Sequence, residues 1–599
     1  MGMDNFWLKN ANKLVDCAMG RTPADTVIRG GKWVCVQTGE VIPDIDIAIR
    51  NRRIAYVGEN ANHTIGEKTR VVEANGRFLV PGLLDGHMHV ESGMVTVTEF
   101  VRAVVPNGTT GLFIDPHEIA NVFGLRGVRL MVDEAAQQPI HVFVQMPSCV
   151  PSSPKFETPG AVLGPAEVAE AMTWPGIIGL GEMMNFQGVF MGDDKLHAEM
   201  SATRAAGKVI GGHYAYSDLG MPFHGYIAGG PQDDHEGTTM EDAIARARQG
   251  MKVMMRYGSG WKDVAAQVKA VTEKGLSTRG FILCTDDCHS ETLVNEGHMD
   301  RVVRHAISQG LDPIAAIQMA TINTAEHFGV AREMGLIAPG RYADILLVKD
   351  LNDFRADIVF ARGEEVAREE KLTIQMKPMN YADWACQSVH LKRPLMDGDF
   401  IFHSDEIKNV NANVIGVIES QATTRHLRFK MDVVNGEVKA DLSRDIAKIA
   451  LVERHSGNGK IQLGFVSGFG LNVPCAIATT VAHDCHQMIV VGTDDADMAL
   501  AANMLAQCGG GQVVVSRGEE LGIVELPIAG LMSNERAEVV AQKAATVLAG
   551  FEKCGCTLNN PNMQLSLLAL VVIPELRISD LGLVDVTRFD FIPVTEVIK

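Results

Sequence analysis

Two histidines stand one residue apart at the end of an apolar stretch, in the segment FLVPGLLDGHMHVESG at residues 78–93. Because side chains alternate along a strand, His87 and His89 would point to the same side and could hold one metal ion. Imidazole is the commonest metal ligand, but a short H-x-H match also arises by chance, with one histidine capping a turn and the other packing. A metal site therefore depends on further ligands elsewhere in the chain.

Four more side chains able to bind metal follow later apolar runs, in GLGE, GGHY, DDHE and CTDD: Glu182, His213, His235 and Asp286. We expect the opening pair of histidines to bind one divalent ion together with Asp286. His213 and His235 would bind the second ion, with Glu182 as the bridge. Each residue alone could be structural, but together at the ends of predicted strands they indicate a binuclear centre. Mixed nitrogen and oxygen ligands suit zinc, manganese or iron(II), and the spacing alone does not choose among these metals.

Eight apolar runs between residues 76 and 330 must position these side chains, and each run ends in polar residues. Most of the intervening stretches have a helical composition, as in GPAEVAEAMT and TTMEDAIARARQG. Eight strand–helix repeats over about 250 residues predict a (β/α)8 TIM-like barrel, whose active sites form at the C-terminal ends of the strands. The sixth predicted strand, HGYIAGGPQDDHE, is interrupted by glycines and a proline.

The sequences before and after the barrel have different residue patterns from the barrel. Residues 1–75 contain a predicted N-terminal helix followed by short β-rich runs with turn signals, and residues 331–378 are similar. We predict that these two flanks form one small composite β-sandwich domain. Residues 379–599 mix apolar runs with the helical ADMALAANMLAQ and are predicted to be an additional C-terminal α/β domain. The predicted fold class is thus α/β.

The composition excludes several classes of partner. Aspartate and glutamate (73) outnumber lysine and arginine (54), and the formal net charge of -19 argues against binding nucleic acid or an anionic membrane surface. No apolar run reaches the length of a membrane span. The 11 scattered cysteines include no C-x-x-C pair, so we expect reduced thiols in a cytoplasmic protein. A homo-oligomer, in its simplest form a dimer, is expected.

The motifs PGLLDGHMHVESG, GLGEMM, GGHY, DDHEG and LCTDD resemble those of the amidohydrolase superfamily. Within it, HVESGMVT, DPHEIANVFG, MPSCVPSS and VAHDCH are similar to the bacterial adenine deaminases, from about residue 22 to the C-terminus. The resemblance implies a cytoplasmic enzyme of purine salvage that deaminates adenine to hypoxanthine and ammonia with a metal-bridged hydroxide. Many superfamily members bridge their metals with a carboxylated lysine on strand four, where this chain has Glu182.

Three carboxylates are candidates for the catalytic steps. Asp286 is expected to accept a proton from the nucleophile and deliver it to the departing amino group. Glu118, in DPHE at the end of strand two, is the candidate acid for a ring nitrogen. Asp115 in the same motif is counted among the catalytic candidates because it could grip ring nitrogens. The alternative for DPHE is a structural network beneath the metals.

Further residues are candidates for contact with the substrate. Asp287 is expected to grip ring nitrogens, although it could instead begin the next helix as an N-cap. His117 would orient a neighbouring group. Cys149 in MPSCVPSS could touch the substrate, although a packed thiol is the simpler interpretation.

The motif TTVAHDCHQ, which contains His483, Asp484 and His486, lies outside the predicted barrel. A structural or interdomain contact is its simplest interpretation, and a ligand set or a lid over the barrel mouth are the alternatives.

Two other functions compete with adenine deamination. The same centre could open a cyclic amide or deaminate another nucleobase, such as guanine or cytosine; the DPHE motif and the C-terminal domain argue against these. A scaffold protein that has lost catalysis would lack ligands, whereas all six are present in this chain.

Overall fold

The computed structural model describes residues 2–597. After helix α1 (Gly2–Ala18), the chain forms five strands that precede the barrel: β1 (Thr26–Cys35), β2 (Glu40–Arg50), β3 (Arg53–Gly58), β4 (Arg70–Glu73) and β5 (Phe78–Pro81). The predicted first barrel strand is therefore split, because β5 pairs with β1 and only the following segment enters the barrel.

Parallel strand segments form the central barrel: β6 (Leu83–His89), β7 (Thr109–Ile114), β8 (His141–Met146), β9 (Ile177–Met183), β10 (Val209–Gly212), β11 (Asp233–Asp234), β12 (Lys252–Arg256), β13 (Phe281–Cys284) and β14 (Asp286–Asp287). Strands β6 and β7 are buried along their whole length, as expected for a parallel sheet that is covered on both faces. β14 continues β13 after one residue and pairs with β6, which closes the sheet. A backbone hydrogen bond of 2.9 Å from Gln232 N–H to the Ile210 carbonyl links the edges at β10 and β11. The predicted TIM-like barrel is confirmed.

Helices cover the outside of the barrel and connect its strands: α2 (Val97–Val104), α3 (His117–Phe123), α4 (Leu125–Ala135), α5 (Pro165–Ala171), α6 (Phe186–Met191), α7 (Asp194–Ala205), α8 (Met221–Gly229), α9 (Met240–Arg248), α10 (Val264–Gln267), α11 (Lys269–Thr272), α12 (Ser290–Asn295), α13 (Met299–Ser308), α14 (Pro313–Met319) and α15 (Ile322–His327). The prediction of a strand over HGYIA was wrong, because this stretch lies in α8. Pro222 occupies the first turn of α8, where a missing N–H costs nothing, and Phe223 and Tyr226 are buried.

The chain then returns to the first sheet with β15 (Ile345–Val348), β16 (Ala356–Ala361), β17 (Glu364–Arg368) and β18 (Lys371–Leu372). β15 pairs antiparallel with β5, so the two flanks of the barrel contribute to one nine-stranded sheet.

The C-terminal part begins with α16 (Asp383–Cys386) and contains the remaining helices and strands: β19 (Phe402–His403), β20 (Asn409–Val417), β21 (Thr424–Val434), β22 (Glu437–Val438), β23 (Ile446–Val452), β24 (Ile461–Ser467), β25 (Ala476–Thr479), β26 (Met488–Gly492), α17 (Asp495–Cys508), β27 (Gly511–Ser516), β28 (Glu519–Glu525), α18 (Ala537–Lys553), α19 (Pro561–Ser566), β29 (Leu576–Ser579), β30 (Gly582–Asp585), β31 (Asp590–Ile592) and β32 (Thr595–Val597). An eleven-stranded sheet dominates, and β20–β24 is its one parallel pair among the described residues. This part is therefore a largely antiparallel sheet with packed helices rather than an alternating parallel α/β unit.

The C-terminal part packs on the face of the barrel where the strands end. Backbone hydrogen bonds of 2.8 Å and 3.2 Å join Ser533 to Met94 and Thr96, which follow β6. Within residues 2–597, no helix combines the length and the apolar character that crossing a membrane would take. All 11 cysteines are described, and none is in a disulfide.

Candidate metal centre

The first predicted ligand set comes together where β6 meets β14. Nε2 of His89 lies 3.2 Å from Oδ1 of Asp286, and Nε2 of His87 lies 3.5 Å from the same oxygen. Asp286 has a φ of 60°, a left-handed conformation that only a minority of non-glycine residues adopt. This backbone geometry aims the carboxylate at the two imidazoles while β14 still pairs with β6.

Glu182, at the end of β9, joins the second set to the first. Its Oε2 lies 3.4 Å from His87 Nε2, 3.1 Å from His213 Nδ1 and 3.0 Å from His235 Nε2. The rings of His87 and His235 are stacked with centroids 4.1 Å apart. We call the set His87, His89, Glu182, His213, His235 and Asp286 the six-ligand centre; the structure brings all of these residues together, with Glu182 in the middle.

Within the six-ligand centre, carboxylates and imidazoles stabilise each other's charged forms against the effect of burial. Burial opposes ionisation of Glu182, but the imidazoles of His213, His235 and His87 hold the pKa of its carboxyl well below the ordinary value. Burial likewise opposes the cationic form of His87, yet the nearby carboxylates of Asp286 and Glu182 raise its pKa to about 10. The two carboxylates therefore stay ionised and require positive charge close to their oxygens.

The donor set fits divalent metal ions. Nε2 of His87 is buried and has no hydrogen-bond partner within residues 2–597, although it lies between the Glu182 and Asp286 oxygens. The donor atoms of His87, His89 and Asp286 all lie within 4.8 Å of one another, as do those of His87, Glu182 and His235. Imidazole nitrogens and carboxylate oxygens at such separations are the ligands that zinc, manganese and iron(II) accept.

The buried side chain of Tyr226 positions the backbone at two of the candidate ligands. The hydroxyl of Tyr226 accepts a hydrogen bond of 2.7 Å from the His213 N–H and donates one of 3.0 Å to the Met183 carbonyl. Because Met183 follows Glu182 directly, this one hydroxyl links a ligand on β9 to a ligand beyond β10. Such outer contacts fix the orientation of metal ligands.

Two charged residues of the site were missed by sequence reasoning. Arg256, at the end of β12, donates a hydrogen bond of 3.2 Å from Nη1 to Oδ2 of Asp286 and also contacts Glu236 and Asp263. Oε1 of Glu236 lies 3.5 Å from His235 Nε2. Both signals were present in the sequence, since Arg256 ends the apolar run KVMMR and Glu236 follows His235 directly.

The structure places Glu118, the predicted proton donor, against two histidines of the C-terminal part. Its Oε1 lies 2.9 Å from His483 Nδ1, and its Oε2 contacts His486 Nε2. Burial opposes its charge, but the imidazoles of His483, His486 and His117 hold the pKa of Glu118 well below the ordinary value. Glu118 is therefore a carboxylate that accepts hydrogen bonds.

The other two residues of the DPHE group with predicted roles lie beside the six-ligand centre. Asp115 is fully buried, and its Oδ2 accepts a hydrogen bond of 2.7 Å from the Glu182 N–H. This placement gives Asp115 a role in positioning Glu182, and its predicted catalytic role stays a prediction. His117 lies between two carboxylates, with Nδ1 3.6 Å from Glu182 Oε1 and Nε2 3.4 Å from Glu118 Oε1.

The other two residues predicted to contact the substrate, Asp287 and Cys149, differ in how deeply they are buried. Asp287 accepts hydrogen bonds from Ser92 Oγ and, at 3.3 Å, from Trp261 Nε1, so its carboxylate is fixed at the edge of the site. Cys149 is buried, and burial raises the pKa of its thiol well above the ordinary value. Cys149 is therefore a neutral thiol.

Comparison with known proteins gives matches over nearly the whole chain. The family described as amidohydrolase family matches residues 78–366, and the one described as adenine deaminase C-terminal domain matches residues 421–590. Adenine deaminase 3 of Rhizobium meliloti is 59% identical over 584 residues, which cover 98% of each chain. An adenine deaminase of Mesorhizobium japonicum is 62% identical, covering 97% of this chain and 96% of that one. An adenine deaminase of Moorella thermoacetica is 52% identical and covers 97% of each.

Proposed function

The chain belongs to the adenine deaminase family of the amidohydrolases and hydrolyses adenine to hypoxanthine and ammonia, and we propose that this reaction takes place at the six-ligand centre. The observation that carries the proposal is the contact of one Glu182 oxygen with three imidazoles at 3.0–3.4 Å. A carboxylate in this position can join two metal ions without a modified lysine. The product, hypoxanthine, agrees with a role in purine salvage.

We propose two divalent ions in this centre, manganese or iron(II), with zinc as the alternative. His87, His89 and Asp286 would hold one ion, and His213 and His235 would hold the other, with Glu182 shared. When bound, such ions supply Lewis acidity, which makes water a nucleophile near neutral pH. The cytoplasmic location and the homodimer stay predictions.

In this proposal, carboxylates of the chain transfer protons and bind the purine ring. Asp286 accepts a proton from the attacking water and delivers it to the amino nitrogen, which leaves as ammonia. Arg256 holds the second oxygen of Asp286, so that Oδ1 faces the imidazoles. Asp287, fixed by Ser92 and Trp261, accepts an N–H of the purine.

A substrate panel tests the proposed function. The protein is reconstituted with manganese or iron(II), and adenine, guanine, cytosine and a cyclic imide are offered in parallel. We expect hypoxanthine formation, followed by absorbance, and stoichiometric ammonia release with adenine. Turnover of the cyclic imide or of another base, with none of adenine, would overturn the proposal.

A further inference from the structure

We propose that His483, from the C-terminal part of the chain, is the catalytic acid that protonates the purine ring, and that Glu118 orients it. The inference rests on the proposed deamination of adenine and assigns the acid for that reaction. It replaces the earlier expectation that Glu118 is the proton donor.

His483 reaches a cavity that opens beside the six-ligand centre. The cavity is lined by residues that follow the ligands along the chain, Glu91 and Ser92 after His89 and His289 after Asp286, together with Glu118 and His483. The side chain of His483 is 14% exposed, whereas that of His486 is fully buried. Nδ1 of His483 lies 2.9 Å from Glu118 Oε1, and no described hydrogen bond engages Nε2. Nε2 is therefore the nitrogen that is available to a ligand in the cavity.

The protonation of His486 decides whether Glu118, His483 and His486 form a metal site or a proton-transfer group. Its Nδ1 accepts a hydrogen bond of 3.2 Å from the Ala482 N–H, so the neutral ring carries its proton on Nε2. This Nε2–H points at Glu118 Oε2 and donates to it. A nitrogen that carries a proton has no lone pair for a metal ion. Glu118, His483 and His486 therefore form a hydrogen-bonded group for proton transfer and not a third metal site.

The surrounding charges keep the proton of this group on His483. The groups that face its imidazole are Glu118 and Asp287 from the barrel and Asp484 and His486 from its own segment. Burial opposes the cation, but Glu118, Asp484 and Asp287 raise the pKa of His483 to about 9. Burial lowers the pKa of His486 to about 4, so His486 stays neutral at pH 7. At pH 7 the pair is thus an imidazolium, His483, beside a carboxylate, Glu118.

The proton balance of the reaction is complete with this assignment. As the water oxygen bonds to C6 of adenine, the electron pair of the ring C6–N1 double bond moves to N1, which takes the Nε2 proton of His483. Asp286 passes one water proton to the amino group, the C6–N bond breaks and ammonia leaves. The second water proton is released as the C6 carbonyl forms, and His483 recovers a proton from solvent. The added N1–H remains in hypoxanthine.

The test is His483→Gln in the full-length, metal-loaded protein, with His403→Gln as the matched control. His403 is an exposed histidine on β19, an edge strand of the C-terminal sheet. Loss of a general acid lowers kcat by about 100- to 10,000-fold. We expect this loss for His483→Gln with KM changed only a few-fold and metal content unchanged, and wild-type kinetics for His403→Gln. Added imidazole should restore part of the activity of His483→Ala.

The alternative role of His483 is a structural contact between the barrel and the C-terminal part. A variant His483→Gln with wild-type kcat would overturn the assignment while leaving the deaminase proposal intact. A loss of kcat together with a loss of metal, a lower melting temperature and no response to imidazole would also overturn it. A wild-type protein that does not deaminate adenine would refute both proposals.

Discussion

Tyr226→Phe removes a single hydroxyl from behind the centre. The side chain is fully buried, and its hydroxyl is 2.7 Å from the His213 nitrogen and 3.0 Å from the Met183 oxygen. Phenylalanine fills almost the same volume and keeps the ring contact with Tyr214, whose centroid is 5.2 Å away. The change therefore isolates the two hydrogen bonds from the packing of the ring.

The magnitude follows from what the missing hydroxyl leaves behind. A buried N–H and a buried carbonyl each lose a partner, at about 1–3 kcal/mol per group, so we expect a destabilisation of roughly 2–6 kcal/mol. Both groups belong to residues that set the position of a ligand, His213 itself and Met183 next to Glu182. Loss of such an outer contact typically lowers metal affinity or activity by about 10- to 100-fold.

Three measurements test this prediction. The variant is titrated with a chelator while bound metal is counted by mass spectrometry, kcat is measured on adenine, and the melting temperature is recorded. Tyr216→Phe is the control, because Tyr216 lies close by along the chain but is 46% exposed. We expect earlier metal loss and a lower kcat in Tyr226→Phe alone. Equal chelator resistance and equal kcat in both variants would refute the idea that this hydroxyl positions the ligands.

Glu182→Gln should bind at most one metal ion and lower kcat by at least about 1,000-fold. It removes the negative charge shared by both ligand sets, and with it several kcal/mol of charge stabilisation. Metal analysis and the adenine assay check this. Arg256→Met leaves Asp286 and its neighbours without their buried cation, which should cost about 3–5 kcal/mol and lower the melting temperature. The pH profile of kcat/KM should fall as pH rises through about 9, since the raised pKa of His483 means that its proton is held below that pH and lost above it. A profile that is flat from pH 7 to pH 10 would contradict this assignment.

The convergence of the six candidate ligands could be predicted from the sequence because each one ends an apolar run or follows it closely. A parallel barrel brings the ends of its strands to one face, so residues 199 positions apart, such as His87 and Asp286, meet without any local signal that joins them. The sixth strand could not be read in the same way. Its apolar residues HGYIA pack as helix α8, and only Asp233–Asp234 remains as strand, too short to leave a periodic pattern.

The left-handed backbone at Asp286 was also beyond sequence reasoning. A φ of 60° at an aspartate costs about 1–3 kcal/mol and persists only where the surroundings fix it. Here the surroundings are the pairing of Asp286 with Met88 and the hydrogen bond from Arg256, which come from other strands. The conformation that directs the carboxylate is thus a property of the closed barrel, and no short segment of the sequence determines it.

Glu118 and His486 are 368 positions apart along the chain, and this separation explains why the acid could not be assigned from the sequence. Read alone, DPHE offers a carboxyl group beside a metal centre, and such a group could equally donate or accept a proton. The histidines that decide between these roles belong to a segment whose own pattern, H-D-x-H, does not say what it faces. Their contact makes Glu118 an acceptor and moves the acidic proton to His483. In these proposals all metal ligands come from the barrel, whereas ring protonation requires the C-terminal part to be docked on it.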